Sequence, residues 1–298
     1  MNFLFKEDTS LEDLGEVVSP LKDLRASLEE SLSLTIKDSR EIRAIVKEIL
    51  HHYFQVEATD YILNPLLTIT SVMHSKLYHL LYRLKADEPI QYILEEAFFA
   101  GHTFKVTPAV LIPRPETAAW VACLRQKIAP PDTILDIGTG SGCIAIILKK
   151  YFPAAAVDAI DISEEALKVA DYNASQLGVT VNFIKKDILT ESLPPRNWSL
   201  MVSNPPYVRI AEKQHMRANV LLYEPHVALF VDNDNPLLFY KRIANLAGYH
   251  LNANGTLCME INEALGEEVE ELLHDANFKQ VALYNDIHEK KRWVMARF

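Results

Sequence analysis

The chain has 298 residues, so one large or two modest domains are expected, with ample length to bury a core. Its 49% hydrophobic and 23% charged residues describe an ordinary folded soluble protein, and no apolar run approaches the ~20 residues that cross a bilayer. The net charge of −10 includes no basic run longer than Lys290-Lys291-Arg292, which argues against broad, phosphate-driven nucleic-acid binding.

The opening Met1-Asn2-Phe3-Leu4-Phe5-Lys6-Glu7-Asp8 is short in its apolar part and turns acidic at once, unlike a secretory signal, so a cytoplasmic location is expected. To about residue 85 there is no glycine after Gly15. Apolar residues recur there at helical spacing: Leu21, Leu24, Leu28, Leu32, then Ile42, Ile45, Val46, Ile49, Leu50. Ser19-Pro20 and Asp38-Ser39 read as helix starts, with Pro20 at the first helical position. A helical domain is therefore predicted over residues 1–86. Its histidines, His51, His52, His74 and His79, sit in helical context and are expected to pack or to meet solvent.

Over residues 87–117 the pattern changes. Short β-like runs, Gln91–Leu94 and Thr103–Val106, flank Ala100-Gly101, and the stretch closes with Leu111-Ile112-Pro113-Arg114-Pro115-Glu116-Thr117. This predicts a hairpin-like linker. Pro113 and Pro115 make a stiff connector of its last part, where Arg114 and Glu116 are expected to pair and set the two domains, with contact to a protein substrate as the alternative.

From residue 118 to 298 strands and helices alternate, the signature of an α/β sheet. Strands are predicted at Thr133–Ile137, Ala156–Asp161, Val181–Ile184, Trp198–Ser203, Gly255–Ile261, Gln280–Tyr284 and Trp293–Arg297. Helices are predicted near 143–151, 164–177, 236–252 and 264–275. Only a short polar turn joins the last two strands, which permits antiparallel pairing alone, so one strand at the end of a mostly parallel sheet should be reversed. Cys123, Cys143 and Cys258 have neither CxxC spacing nor a paired histidine, so no metal site or disulfide is expected and all three are read as reduced core residues.

The first strand of that sheet runs into Gly138-Thr139-Gly140-Ser141-Gly142 and then a helix. Glycines here let the backbone approach a ligand at the carboxyl edge of a parallel sheet. The G-x-G-x-G spacing differs from the G-x-G-x-x-G of dinucleotide folds. Asp161 ends the second strand, where a carboxylate can accept from both hydroxyls of a ribose, and Asp187 follows the third, beside the position of a base with Ile188 as its apolar wall. Each acid has a plainer use: Asp161 as a cap for the next helix, Asp187 as a turn residue.

The fourth strand ends in Asn204-Pro205-Pro206-Tyr207. An NH2 group has two donors, and two coplanar acceptors fix it and leave its face bare. The Asn204 side-chain oxygen and the Pro205 carbonyl can supply them. The prolines lock φ and lack N–H groups, which stiffens the loop, and Tyr207 is expected flat against the substrate plane. A rigid turn after a strand is the structural alternative.

Together these pieces resemble the class I S-adenosylmethionine-dependent methyltransferases. Asp87-Glu88-Pro89-Ile90-Gln91-Tyr92, the Leu111–Thr117 stretch, Gly138–Cys143 with Ile144-Ala145, Asn204–Tyr207 and Glu224-Pro225 resemble the release-factor glutamine N5-methyltransferase (HemK/PrmC) family over roughly residues 85–298. The resemblance implies a Rossmann-like, seven-stranded, mostly parallel sheet with one antiparallel strand, behind a small N-terminal helical domain that recognises substrate. It implies that Gly138, Thr139, Gly140, Ser141, Gly142, Asp161, Asp187, Ile188 and Asn204 bind S-adenosyl-L-methionine, and that Asn204, Pro205, Pro206 and Tyr207 hold the acceptor glutamine. The acceptor would lie in the Gly-Gly-Gln tripeptide of bacterial class-one peptide chain release factors. The enzyme would be a monomer with no direct nucleic-acid or membrane partner. Because methyl transfer to a neutral nitrogen needs alignment more than charge stabilisation, no histidine base is required. An adenine N6-methyltransferase of DNA or RNA shares the planar NH2 geometry and is the alternative, and a non-catalytic donor-binding scaffold is a third reading.

Overall fold

A computed structural model describes residues 16–298, and the Met1–Asp8 opening lies outside them. The chain divides into two compact units that meet at Leu94/Glu95.

In the first unit, β1 (Val17–Pro20) leads into α1 (Leu21–Ser33), α2 (Ser39–Phe54) and the single turn α3 (Asp60–Leu63), followed by β2 (Leu66–Ile69), α4 (Ser71–Lys85) and α5 (Ile90–Leu94). The helical spacing read from the sequence is buried as a stripe: Leu21, Leu24, Leu28 and Leu32 of α1 meet Ile42, Val46, Ile49 and Leu50 of α2. Asp38 caps α2 by accepting from the Arg40 N–H at 2.8 Å. Pro20 is not the first helical residue. It closes β1, which pairs antiparallel with β2 from Val17↔Ile69 to Pro20↔Leu66. β1 and β2, of four residues each, show too little alternation to be told from the helices that they precede. His74 is buried, whereas His51 and His79 are exposed.

Residues Gln91–Leu94 form the end of helix α5, not a strand. The Pro89 carbonyl accepts from the Tyr92 and Ile93 N–H groups, and the i, i+3, i+4 spacing of Ile90, Ile93 and Leu94 turns all three onto the helical core. That buried stripe outweighs the local β propensity.

The second unit begins with a hairpin, β3 (Glu96–Phe99) and β4 (His102–Lys105), turning through Ala100 and Gly101, both at positive φ. Asn173 accepts from the Lys105 N–H at 2.7 Å and donates to the Lys105 and Ser141 carbonyls, tying β4 to the glycine loop. α6 (Pro115–Lys127) starts with proline at its first position. There follow β5 (Thr133–Ile137), α7 (Cys143–Tyr151), β6 (Ala156–Asp161), α8 (Glu164–Gln176), β7 (Asn182–Lys185) and β8 (Trp198–Ser203). After a detour through β9 (Val208–Arg209), α9 (Ala218–Tyr223) and β10 (Phe230–Val231) come α10 (Leu238–His250), β11 (Leu251–Glu260), α11 (Gly266–Asp275), β12 (Gln280–Asn285) and β13 (Lys291–Arg297).

The main sheet has seven strands in the order β12-β13-β11-β8-β5-β6-β7. Only β13 is reversed: it is antiparallel to both β11 and β12, and every other pairing is parallel. The reversed strand therefore lies one place in from the edge, because the short β12–β13 turn folds the chain back into the gap beside β11. Alternate residues of the central strands feed two cores. Ile134, Leu200, Val202 and Cys258 pack with Trp120 and α7, while Leu135, Met201, Leu257 and Met259 pack with α10 and α11. Cys143 and Cys258 are buried; Cys123 is exposed on α6, where helical periodicity turns it away from the core formed by Trp120, Val121 and Leu124. Among the described residues no helix is long and apolar enough to cross a membrane.

Candidate active site

At the carboxyl edge of the sheet a cleft is lined by the glycine loop Gly138–Ser141, Asp161, Asn204 and Pro206, together with Pro113 and Arg114. β5, β6 and β8 deliver the first three elements side by side, since Ile137 pairs with Ile160 on one side and Ser203 on the other. Parallel strands put their carboxyl ends on one rim, so residues far apart in sequence arrive together.

The glycine loop has positive φ at Gly138, Gly140 and Gly142. At Gly138 and Gly140 a side chain would meet open space, whereas at Gly142 a Cβ would lie 3.0 Å from the Ala170 Cβ. The first two thus leave the backbone bare toward the cleft, and the third permits close packing of α7 on α8. Gly142 does not line the cleft. Beneath the loop, buried Asp136 accepts from the Thr139 hydroxyl at 2.6 Å and the Ala145 N–H at 3.2 Å. Burial pushes its carboxyl up to about 7. The Thr139 hydroxyl is therefore a brace, while the residue also lines the cleft.

Asp161 accepts from Gly140 N–H at 2.8 Å and from Ser163 N–H at 2.9 Å. Burial raises its pKa, and those two amides work against the rise. The helix cap itself is Ser163, whose hydroxyl accepts from Ala166 N–H at 3.1 Å. Asp161 thereby locks the glycine loop to β6 and still lines the cleft.

Asp187 and Ile188 do not line the cleft. The Asp187 carboxylate accepts from Leu189 N–H at 2.9 Å and from the Thr190 hydroxyl at 2.8 Å, which makes it a turn residue here. Ile188 packs against the α10–α11 core, and its carbonyl accepts from Arg242.

The Asn204–Tyr207 loop is divided between cleft and core. Asn204 and Pro206 line the cleft; Pro205 is buried, and Tyr207 packs on the α10–α11 core. The Tyr207 ring does not face the cleft, because its hydroxyl donates to the Glu260 carboxylate at 3.0 Å. Burial drives the Tyr207 phenol well above its ordinary value, with the Glu260 charge adding to it. Glu260, 1% exposed, also accepts from the Thr117 hydroxyl and from the Trp120 indole N–H at 2.9 Å. The sequence gives no sign of this cluster, since Glu260 follows the apolar run Leu257-Cys258-Met259 and its donors lie 53 (Tyr207), 140 (Trp120) and 143 (Thr117) positions away. Burial raises the Glu260 pKa against these three donors.

Arg114 pairs with Glu224 at 2.6 Å rather than with Glu116. Glu224 also accepts from Ile112 N–H at 3.3 Å. The pair joins the stretch before α6 to the segment between β9 and β10, whose Pro225, Val227 and Ala228 close one side of the cleft. The arrangement can hold an elongated polar ligand along the glycine loop and Asp161, with Asn204 in the same cleft.

Comparison with known proteins agrees with this geometry. Residues 23–94 match the PrmC N-terminal domain family and residues 115–234 the Methyltransferase small domain family. A release factor glutamine methyltransferase of Flavobacterium psychrophilum is 42% identical over 283 residues, covering 93% of this chain and 99% of that protein. One from Bacteroides thetaiotaomicron is 40% identical over 274 residues, covering 92% and 97%. Among solved structures, the hMettl16 catalytic domain aligns with a TM-score of 0.52 at 16% identity over 65% of this chain and 75% of that one. A T. thermophilus 16S rRNA methyltransferase in complex with AdoMet and guanosine aligns at 0.50 and 17% identity over 68% and 49%. At such identities the structures establish the Rossmann-like fold alone. The sequence relatives, matched over more than nine-tenths of each chain, establish more: this chain belongs to the release factor glutamine methyltransferase family.

Proposed function

We propose that this chain transfers a methyl group from S-adenosyl-L-methionine to the side-chain amide nitrogen (N5) of the glutamine in the Gly-Gly-Gln motif of bacterial class-one peptide chain release factors. The observation that carries the reading is the convergence of Asn204 and the glycine loop in one cleft of a chain from this family.

The cleft residues fit the methyl donor. Bare backbone at Gly138 and Gly140 admits close approach, the Asp161 carboxylate suits a diol, and the buried Ser141 hydroxyl, which has no partner within the described chain, suits a polar ligand group. When bound, S-adenosylmethionine supplies a methyl group on a sulfonium, reactive without further activation. Gly138–Ser141 and Asp161 would hold it, with Gly142 setting the loop from behind. Asp187 and Ile188, at the same sheet edge after β7, would border the base end.

Asn204 and Pro205 orient the acceptor. Neither the Asn204 side chain nor the Pro205 carbonyl hydrogen-bonds within the described chain, so both can accept from an NH2 group. An amide nitrogen is a poor nucleophile because its lone pair is delocalised into its carbonyl. Two coplanar acceptors raise its electron density and turn its face to the methyl, and alignment of this kind is worth about 7–11 kcal/mol in favourable cases. Pro206 stiffens the presentation, and Tyr207 supports it from the core side.

Substrate recognition is assigned to the N-terminal helical unit, an assignment that its PrmC N-terminal match supports. A monomer in the cytoplasm, where release factors act, completes the reading. Mass spectrometry of a purified release factor after incubation with the chain and S-adenosylmethionine tests it: one added methyl on the Gly-Gly-Gln glutamine is expected, and an unmodified glutamine overturns it.

A further inference from the structure

The Asn204–Tyr207 loop cannot hold itself. β8 stops at Ser203 and β9 starts at Val208, and Pro205 and Pro206 have no N–H to give to a ladder, so its position must come from side chains around it. On the entry side, the Ser203 hydroxyl donates to the Ile137 carbonyl at 2.8 Å. The exit side is held twice by one strand end. Glu260, the last residue of β11, takes the Tyr207 hydroxyl at 3.0 Å, and Asn262 Nδ2 donates to the Tyr207 carbonyl at 3.1 Å.

Glu260 is an unusual residue for a purely structural post. A carboxylate buried among neutral donors costs more than an apolar residue of its size, unless its hydrogen bonds fix something. All of its donors, Thr117, Trp120 and Tyr207, are neutral, and the first two come from α6 and aim the carboxylate at the third. Asn262 is aimed likewise: its Oδ1 accepts from Ala264 N–H at 3.0 Å, which turns Nδ2 toward Tyr207 and, at 3.4 Å, Glu212.

We infer that Glu260 and Asn262 are positioning residues for methyl transfer, acting through Tyr207 to set the plane in which Asn204 and the Pro205 carbonyl meet the acceptor amide. The inference rests on the acceptor role proposed for Asn204. A displacement of about 1 Å in such a holder can cost on the order of 100-fold in rate without touching donor affinity.

The test pairs turnover with hydrogen exchange on the full chain. Glu260→Leu is expected to lower kcat roughly 10- to 100-fold with an unchanged calorimetric Kd for S-adenosylmethionine, whereas Glu260→Gln, which can donate to the Tyr207 oxygen, restores most of the rate. Adding Tyr207→Phe to Glu260→Leu should cost nothing further, because both remove one linkage. Asn262→Asp keeps the bond to Ala264, loses the donor to Tyr207 and serves if Glu260→Leu does not fold. In either variant the Val208 amide, bonded to the Leu229 carbonyl at 2.9 Å, should exchange faster while the β5 amides do not change. Unaltered Val208 exchange, additive losses in the double variant, or donor affinity falling in step with kcat would each overturn the inference. Absence of release-factor methylation by the unaltered chain would instead sink the proposed function, and the exchange arm would still decide whether the two residues hold the loop.

Discussion

Arg114 and Glu224, 110 positions apart, form an ion pair of 2.6 Å at the edge of the cleft, with the Glu224 side chain 2% exposed and Arg114 32%. Removing the arginine leaves a buried carboxylate with one backbone donor, Ile112. Arg114→Ala should therefore lower stability by about 1–3 kcal/mol, and Arg114→Ala with Glu224→Gln should recover part of that loss because no buried charge remains. Urea unfolding of the two variants measures it.

The cleft should divide its labour between Asn204 and Asp161. Asn204→Ala is expected to lower kcat/KM by at least about 100-fold through lost orientation while leaving donor affinity nearly intact. Asp161→Asn, which keeps the volume but can accept from only one of the Gly140 and Ser163 amides, should instead weaken donor binding roughly 10- to 100-fold and also lower stability by about 1–3 kcal/mol. Calorimetry beside release-factor turnover separates the two, and equal turnover in Asn204→Ala would remove it from the acceptor role.

Asp136 should leave a signature in the pH dependence of stability. Its folded pKa of about 7 stands above the 3.8 of the free side chain, so the folded chain holds this proton where the unfolded chain has released it. Stability contributed by the protonated form is complete below pH 3.8 and drains away as the pH climbs toward 7. The fall in unfolding free energy from pH 5 to pH 7 should thus be smaller in Asp136→Asn than in the unaltered chain. Asp161 and Glu260, also raised, leave a residual slope of the same sign.

Two glycines of one loop should fail differently. Both Gly140→Ala and Gly142→Ala strain a positive φ, at roughly 1–2 kcal/mol each. Only Gly142→Ala also drives a methyl against Ala170, at 3.0 Å from its Cβ, so it should be the less stable variant by thermal melting. Gly140→Ala faces the cleft and should show its larger effect in donor affinity.

Much of this was legible in the chain itself. Long periodic runs such as Leu21–Leu32, the apolar strands Thr133–Ile137 and Trp198–Ser203, and the short β12–β13 connection carry their own instructions, because period, turn chemistry and connection length are local properties. Short elements were legible only in part: β4 and β7 are read as strands, but β1 is read as a helix start and Gln91–Leu94 as a strand, since so few residues fit either period and neighbours decide.

Sequence was enough to put Gly138–Gly142, Asp161 and Asn204–Tyr207 at the carboxyl ends of β5, β6 and β8, because a strand followed by glycines, an acid or paired prolines announces the rim of a parallel sheet. What each residue does with its side chain was decided only by the tertiary fold. Tyr207 turns from the expected substrate face to Glu260, the Asp187 carboxylate closes its own turn, and Arg114 finds Glu224 in place of Glu116. Hydrogen-bonding capacity is written in residue type, but the partner that satisfies it is set by which distant strand or loop packing brings within 3 Å or so, and burial makes that choice binding.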